Sequence, residues 1–280
     1  MDRFYWRLNQ IFILRQLAVF YTCLAVFSIF TVSGQLIAQV NVLGKPGYIM
    51  TPNAQWDSED ELTLSFSHVP QTYAINHFMG AYYTENIYGV GVGLTNFMEV
   101  YLNITRVRER AGEIGIGDRH VSFRFRLLAE EKHGINAVLL VSAPFGTNQH
   151  LNHDALVLEK TGELSPTVHF RLTGGYALPF VIAIPTRAGD RSLTILIKSK
   201  EEANIRYLSG VFGGFSLDWK ETAGLSLEHD GHTLNAGIFV RPLPWMQLQV
   251  HTFEGKELGY NFSLHFPLSV TPKEMRAYER

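Results

Sequence analysis

The chain has 280 residues, with 24 Lys plus Arg against 26 Asp plus Glu, a formal net charge of -2 and one cysteine. That balance, without a basic cluster, gives no footing for a nucleic-acid partner. A lone thiol excludes a disulfide framework within the chain.

Arg3, Arg7 and Arg15 precede an apolar stretch from Leu17 to Val32, and small residues follow at Ser33, Gly34 and Ala38. This order predicts a signal peptide over 1–38, cleaved after Gly34 or Ala38. A retained inner-membrane anchor competes with it, because the run exceeds the roughly 7 to 15 residues of an ordinary leader core. Cys23 lies inside the run, so removal of the leader leaves no thiol for a nucleophile or a thiolate metal site. No later apolar stretch is long enough to span a bilayer as a helix, so membrane insertion would have to use strands.

From residue 39 to 270 the dominant pattern is period-two alternation, which places successive side chains on opposite faces of a sheet. Leu62, Leu64 and Phe66 alternate with Thr63, Ser65 and Ser67; Val121, Phe123, Phe125 and Leu127 alternate with Ser122, Arg124 and Arg126. Val168, Phe170 and Leu172 oppose His169 and Arg171, while Met246, Leu248 and Val250 oppose Gln247, Gln249 and His251. Segments of this kind fall near 61–68, 84–95, 97–105, 119–129, 135–144, 154–160, 165–174, 205–219, 222–229, 232–241, 245–253 and 258–268. One row is rich in Phe, Tyr, Leu and Trp, and the other holds Arg, His, Asn, Gln and Ser. That contrast predicts an all-β fold, an antiparallel transmembrane β-barrel of about 12 strands with a lipid-facing band and a polar lumen. Arg124, Arg126, His169, Arg171, Gln247, Gln249 and His251 are the expected lumen-facing side chains. The lumen should be wider than a filled eight-stranded barrel and narrower than a porin channel, so an obstructed pore is among the expectations. A soluble exported β-sandwich that binds carbohydrate would also alternate and is the alternative.

Turn chemistry agrees with direct strand-to-strand connections. Asp230-Gly231 favours a two-residue hairpin turn, Pro242 to Pro244 marks the next turn, and Glu254-Gly255-Lys256 the last. Between Pro179 and Ser199 the pattern weakens, leaving a long loop, a plug or an extra strand around Ser192 to Lys198. Ser199 to Ala203 suggests one helical turn. A short tail, 271–280, follows the last strand.

Catalytic motifs for serine hydrolysis, phosphate binding and zinc proteolysis are absent from the sequence, and no catalytic residue, cofactor or metal is expected. Gly89, Gly91 and Gly93 imitate half of a dinucleotide fingerprint, but strand glycines more often mark bends or close backbone approach. His150, His153 and Asp154 could suggest a metal, as could His229, Asp230 and His232; a polar loop and a hairpin turn explain them better. Glu159, Glu228 and Asp230 would be the carboxylates of a barrel hydrolase, a less favoured reading.

Three stretches together resemble the YjbH-like family of outer-membrane proteins, which is associated with exopolysaccharide production and export. They are Gly44 to Ala54 followed by Asp57 to Phe66; Gly117 to Leu128 with Pro144 to Thr147 and Leu156 to Lys160; and Ala223 to Asp230 with Asn235 to Ile238. The resemblance implies an outer-membrane barrel of a Gram-negative bacterium. It also implies a role in biosynthesis, secretion or surface assembly of an exopolysaccharide or capsule, with outer-membrane lipid, polysaccharide and other export-machinery proteins as partners. No catalytic residues come with it. His229 stands where the family pattern leads one to expect an aromatic.

Overall fold

A computed structural model describes residues 38–56, 61–78, 81–107, 115–144, 150–183 and 195–268. The expected leader up to residue 37, Cys23 and the tail 271–280 lie outside the described residues.

Twelve strands close into one antiparallel barrel. Among the described residues the strands are, in chain order, β1 Glu61–Val69, β2 His77–Phe78, β3 Ala81–Tyr82, β4 Glu85–Thr95, β5 Met98–Val107, β6 Gly115–Leu128, β7 Asn136–Ser142, β8 Ala155–Ser165, β9 Val168–Ala177, β10 Phe180–Ala183, β11 Leu196–Ser199, β12 Gly210–Trp219, β13 Ala223–His229, β14 Leu234–Leu243, β15 Met246–Phe253 and β16 Glu257–Pro267. Wall neighbours follow in sequence, and β1 pairs with β16 to seal the cylinder, as in Leu64 opposite Leu264 and Phe66 opposite Phe262. Closure leaves the wall no free edge, so every strand satisfies its backbone groups within the wall. The soluble sandwich is thereby excluded. Each of the twelve alternating segments read from the sequence overlaps a wall strand, with bounds that differ by a few residues.

The two ends of the barrel differ. At one end β4–β5, β8–β9, β12–β13 and β14–β15 join by short turns, and register shifts gather there, between Gly93 and Thr95 and between Glu163 and Ser165. The other end carries the longer connections, including the separate two-stranded sheets β2–β3 and β10–β11. The stretch after Pro179 is therefore partly strand: Phe180 to Ala183 pairs with Leu196 to Ser199. Residues 199–203 form the expected turn, Ala203 N–H donating to the Ser199 carbonyl. The hairpin turn expected at Asp230-Gly231 is displaced by one residue. Asp230 N–H donates to the Thr233 carbonyl, leaving Gly231 and His232 at the tip, with Gly231 at φ +97° against the Ser209 backbone. A side chain there would collide with Ser209, which fixes where the chain can reverse.

The outer surface is apolar. Val90, Leu102, Ile104, Leu172, Leu225 and Ile238 project from it, Ile238 at 63% exposure. Tyr88, Tyr176 and Tyr260 flank this aliphatic belt near the loop end, and Phe97, Trp219, Trp245 and Phe266 flank it at the short-turn end. A closed barrel with an aliphatic band between two aromatic girdles is a membrane-spanning barrel of the bacterial outer-membrane type. Among the described residues no helix is long and apolar enough to cross a membrane.

Candidate functional site

The inner face of the wall is polar, with Glu99, Asn103, Thr105, Asp118, His120, Ser122, Ser216 and Asn261 all buried. What buries much of it is the chain itself. Residues 38–56 precede β1 and lie inside the barrel, almost all without solvent contact. Gly44, Pro46, Gly47 and Pro52 deny this segment a regular period, so it folds as tight turns braced by its own backbone. Asn41 N–H donates to the Lys45 carbonyl at 2.8 Å, Val42 N–H to Ile49 at 2.8 Å, and Asn41 Oδ1 accepts from the N–H groups of Leu43 and Lys45.

The wall reaches in to hold this plug. Asn103 Nδ2 donates to the Leu43 carbonyl at 2.7 Å, Asn261 Nδ2 to Val40 at 2.6 Å, and Gln249 Nε2 to Tyr48 at 2.9 Å. Tyr48 Oη bonds Thr173 Oγ1 at 2.7 Å. Nearer the short turns, Arg124 ion-pairs with Glu99 and donates through Nη2 to the carbonyls of Asn53 and Gln55 at 3.0 and 2.8 Å. The densest contact is at Glu228. Its carboxylate accepts from Ile49 N–H at 2.9 Å, Met50 N–H at 2.7 Å, Thr51 N–H at 3.0 Å, Thr51 Oγ1 at 2.6 Å and Asn235 Nδ2 at 3.0 Å. Consecutive backbone donors converging on one anion form a nest, here filled by the wall's own side chain.

Toward the loop end, Lys45 Nζ lies 3.3 Å from His153 Nε2. His153 Nδ1 is 2.8 Å from the Leu151 carbonyl, which can only accept. That contact places the proton of a neutral imidazole on Nδ1, and Nε2 then accepts from Lys45. Burial drives the Lys45 amine down to about 7, helped by the charge of Arg124. His153 is pushed well below its ordinary value by burial and by Lys45. Above the tip of the plug sits a cavity of about 280 Å³ lined by Met50, Tyr73, Arg206, Asp230, Phe253 and Lys256 among others.

The seven residues expected to face the lumen are placed as follows. Arg124 and Gln249 grip the plug. Arg171 donates to Asp218 at 3.0 Å, and Arg241 does the same from the other side. Arg126 lies at the short-turn rim, 5.9 Å from the Trp56 ring, and His169 lies there too, 3.7 Å from Glu163. Gln247 is fully buried, and His251 packs edge-on against Phe253. The grip of Asn103, Asn261, Lys45 and His153 escaped the sequence reading. Glu228 was weighed only as an acid or base, whereas its carboxylate is taken up by five donors. Of the residues that could suggest a metal, His153 Nδ1 is held by the Leu151 carbonyl and His229 Nδ1 accepts from Gly231 N–H. Asp154 accepts from Ser142 N–H, and Asp230 accepts from His232 and Thr233 N–H. At Gly89 the plug backbone packs close, a Cβ there standing 3.3 Å from the Gly44 Cα, which accounts for a glycine in that strand.

No protein-family model matches the chain, and neither does any curated protein. Among solved structures it is similar to the KdgM porin, with TM-score 0.41, 8% identity, and 73% of this chain and 98% of that one covered. It is also similar to an outer-membrane channel from Pseudomonas putida F1, with TM-score 0.40, 14% identity, and 76% and 97% covered. The Acinetobacter baumannii outer membrane protein Omp33 follows at TM-score 0.32, 9% identity, with 75% and 98% covered. The barrel assignment rests on the strand pairing and the surface, not on these likenesses.

Proposed function

We propose that this protein is a plugged outer-membrane channel that assists passage or surface assembly of an exopolysaccharide, opening when residues 38–56 leave their seat. The observation that carries the gating is the nest around Glu228, which ties three consecutive plug amides to the wall. A permanently filled barrel needs only a packed core, whereas this interior is lined with Asn, Gln, Ser, Thr and His. Once the plug is out, such groups exchange hydrogen bonds readily with the hydroxyls of a sugar chain. The polysaccharide assignment itself leans on the resemblance to the YjbH-like family, as do the export-machinery partners.

We read the protein as having no catalytic role. The carboxylate of Glu228 is saturated by plug donors, and Asp230 braces its own turn.

Planar-bilayer conductance tests the gate. The intact protein should conduct weakly with rare openings, and Glu228→Gln should open often while the barrel keeps its heat-modifiable gel mobility. Equal conductance in the two would remove the gate. Flux of neutral oligosaccharides into vesicles carrying the opened variant tests the cargo, and a variant that passes small ions but no oligosaccharide would remove the polysaccharide role.

A further inference from the structure

The cavity at the loop end lies directly over the plug. Its floor is apolar, made by Met50 of the plug with Ile75 and Phe253. Tyr73 stacks on Phe253 with ring centroids 4.9 Å apart and extends this floor. The rim is polar and carries both signs, Arg206 and Lys256 against Asp230 and Glu254. Lys256 ion-pairs with Glu254, which also accepts from Tyr73 Oη at 3.1 Å, and Arg206 stands over the Tyr82 ring. These charges cancel, so the site offers no net attraction to an ionic ligand. An apolar floor within a ring of hydrogen-bonding groups matches a pyranose, whose C–H face is bounded by hydroxyls. The volume, about 280 Å³, suits one or two such rings.

A chain of hydrogen bonds links this cavity to the gate. Thr233, which lines it, bonds Asn235 Oδ1 at 3.2 Å, and Asn235 donates to Glu228, the residue that holds the amides of Ile49 to Thr51. Met50 supplies part of the floor only while the plug is seated.

We propose that the loop-end cavity is a binding site for a neutral saccharide unit and that its occupancy holds the plug in place. A ligand whose contacts exist in one state only shifts the equilibrium toward that state. Saccharide at the loop-end mouth therefore closes the barrel, a response to its own cargo. The regulatory sense rests on the gated-channel reading given above, whereas the site itself does not.

Titration calorimetry on the purified, folded barrel in detergent, with maltose, cellobiose and chitobiose as probes, tests it. At least one should bind saturably, one per chain, and Tyr73→Ala should weaken it about tenfold. Because coupling is reciprocal, Glu228→Gln, which loosens the plug without lining the cavity, should weaken binding as well. Gly214→Val, which crowds Tyr48 from the wall, provides the same test should the first variant fail to fold. No saturable binding by any probe, or binding indifferent to Tyr73→Ala, overturns the site. Binding indifferent to both plug variants overturns the coupling. Binding that persists in a barrel that passes no oligosaccharide supports the site and rejects the transport role instead.

Discussion

A carboxylate taken out of water must recover its lost hydration from hydrogen bonds or a cation. Glu228 recovers it from five donors, and four of them belong to the plug. The exchange runs both ways, because Ile49, Met50 and Thr51 would otherwise carry unpaired N–H groups into a closed interior. Glu228→Ala should therefore weaken seating of the plug by about 3 kcal/mol or more, the cost of stranding buried donors. Limited proteolysis of residues 38–56 in the folded barrel would register it, with cleavage appearing in the variant and absent from the parent. The Lys45–His153 pair adds a pH dependence. A released Lys45 returns from about 7 to its ordinary 10.5, so seating is penalised progressively as pH falls from 10.5 to 7 and is constant below that. His153 resists protonation when seated, so its penalty starts only as pH falls below 6.5. Opening should therefore rise on acidification below 6.5. In His153→Gln that acid limb should shrink, while in Lys45→Met the dependence between pH 7 and 10 should shrink; conductance against pH reads both.

The wall was legible in the sequence because a strand shows its two faces in adjacent residues. Phe123, Arg124 and Phe125 declare the alternation within three positions, and the turn at Glu254 to Lys256 announces itself through Gly255 in the left-handed region. The plug was not legible for the opposite reason. Its Gly and Pro residues suppress any period, and its partners Asn103, Thr173, Glu228, Gln249 and Asn261 lie on five strands remote in sequence. Arg124 and Gln249 could be assigned a face by parity, but nothing local says that a segment preceding the first strand will meet them. The fit between plug and wall also depends on what is missing from the wall. A Cβ at Gly214 would stand 2.3 Å from the Tyr48 ring, whereas one at Gly174 meets nothing within 4 Å. Gly214→Val should consequently displace the plug and raise conductance, with the β-branched residue tolerated by the strand itself. Gly174→Val should leave conductance at the parent level.

At the scale of the whole molecule, the reading as a membrane barrel makes a demand that a water-soluble barrel of identical topology would not. Ile238 is 63% exposed and paired in register with Leu225 on β13 and Val250 on β15, in the middle of the aliphatic belt. In lipid, Ile238→Arg moves a guanidinium to the depth where it is least tolerated, at a cost of about 2–4 kcal/mol. Trp219→Arg at the short-turn girdle lies near the interface, where the same charge costs about 0–1 kcal/mol. A protein surrounded by water would respond differently, because an exposed Ile replaced by Arg stays within about 0.5 kcal/mol of the parent. Urea-dependent refolding into phospholipid vesicles separates the cases through the difference between the two variants. A large loss at residue 238 with little at residue 219 is the depth profile of a bilayer. Two small and equal effects would mean that the belt does not face lipid.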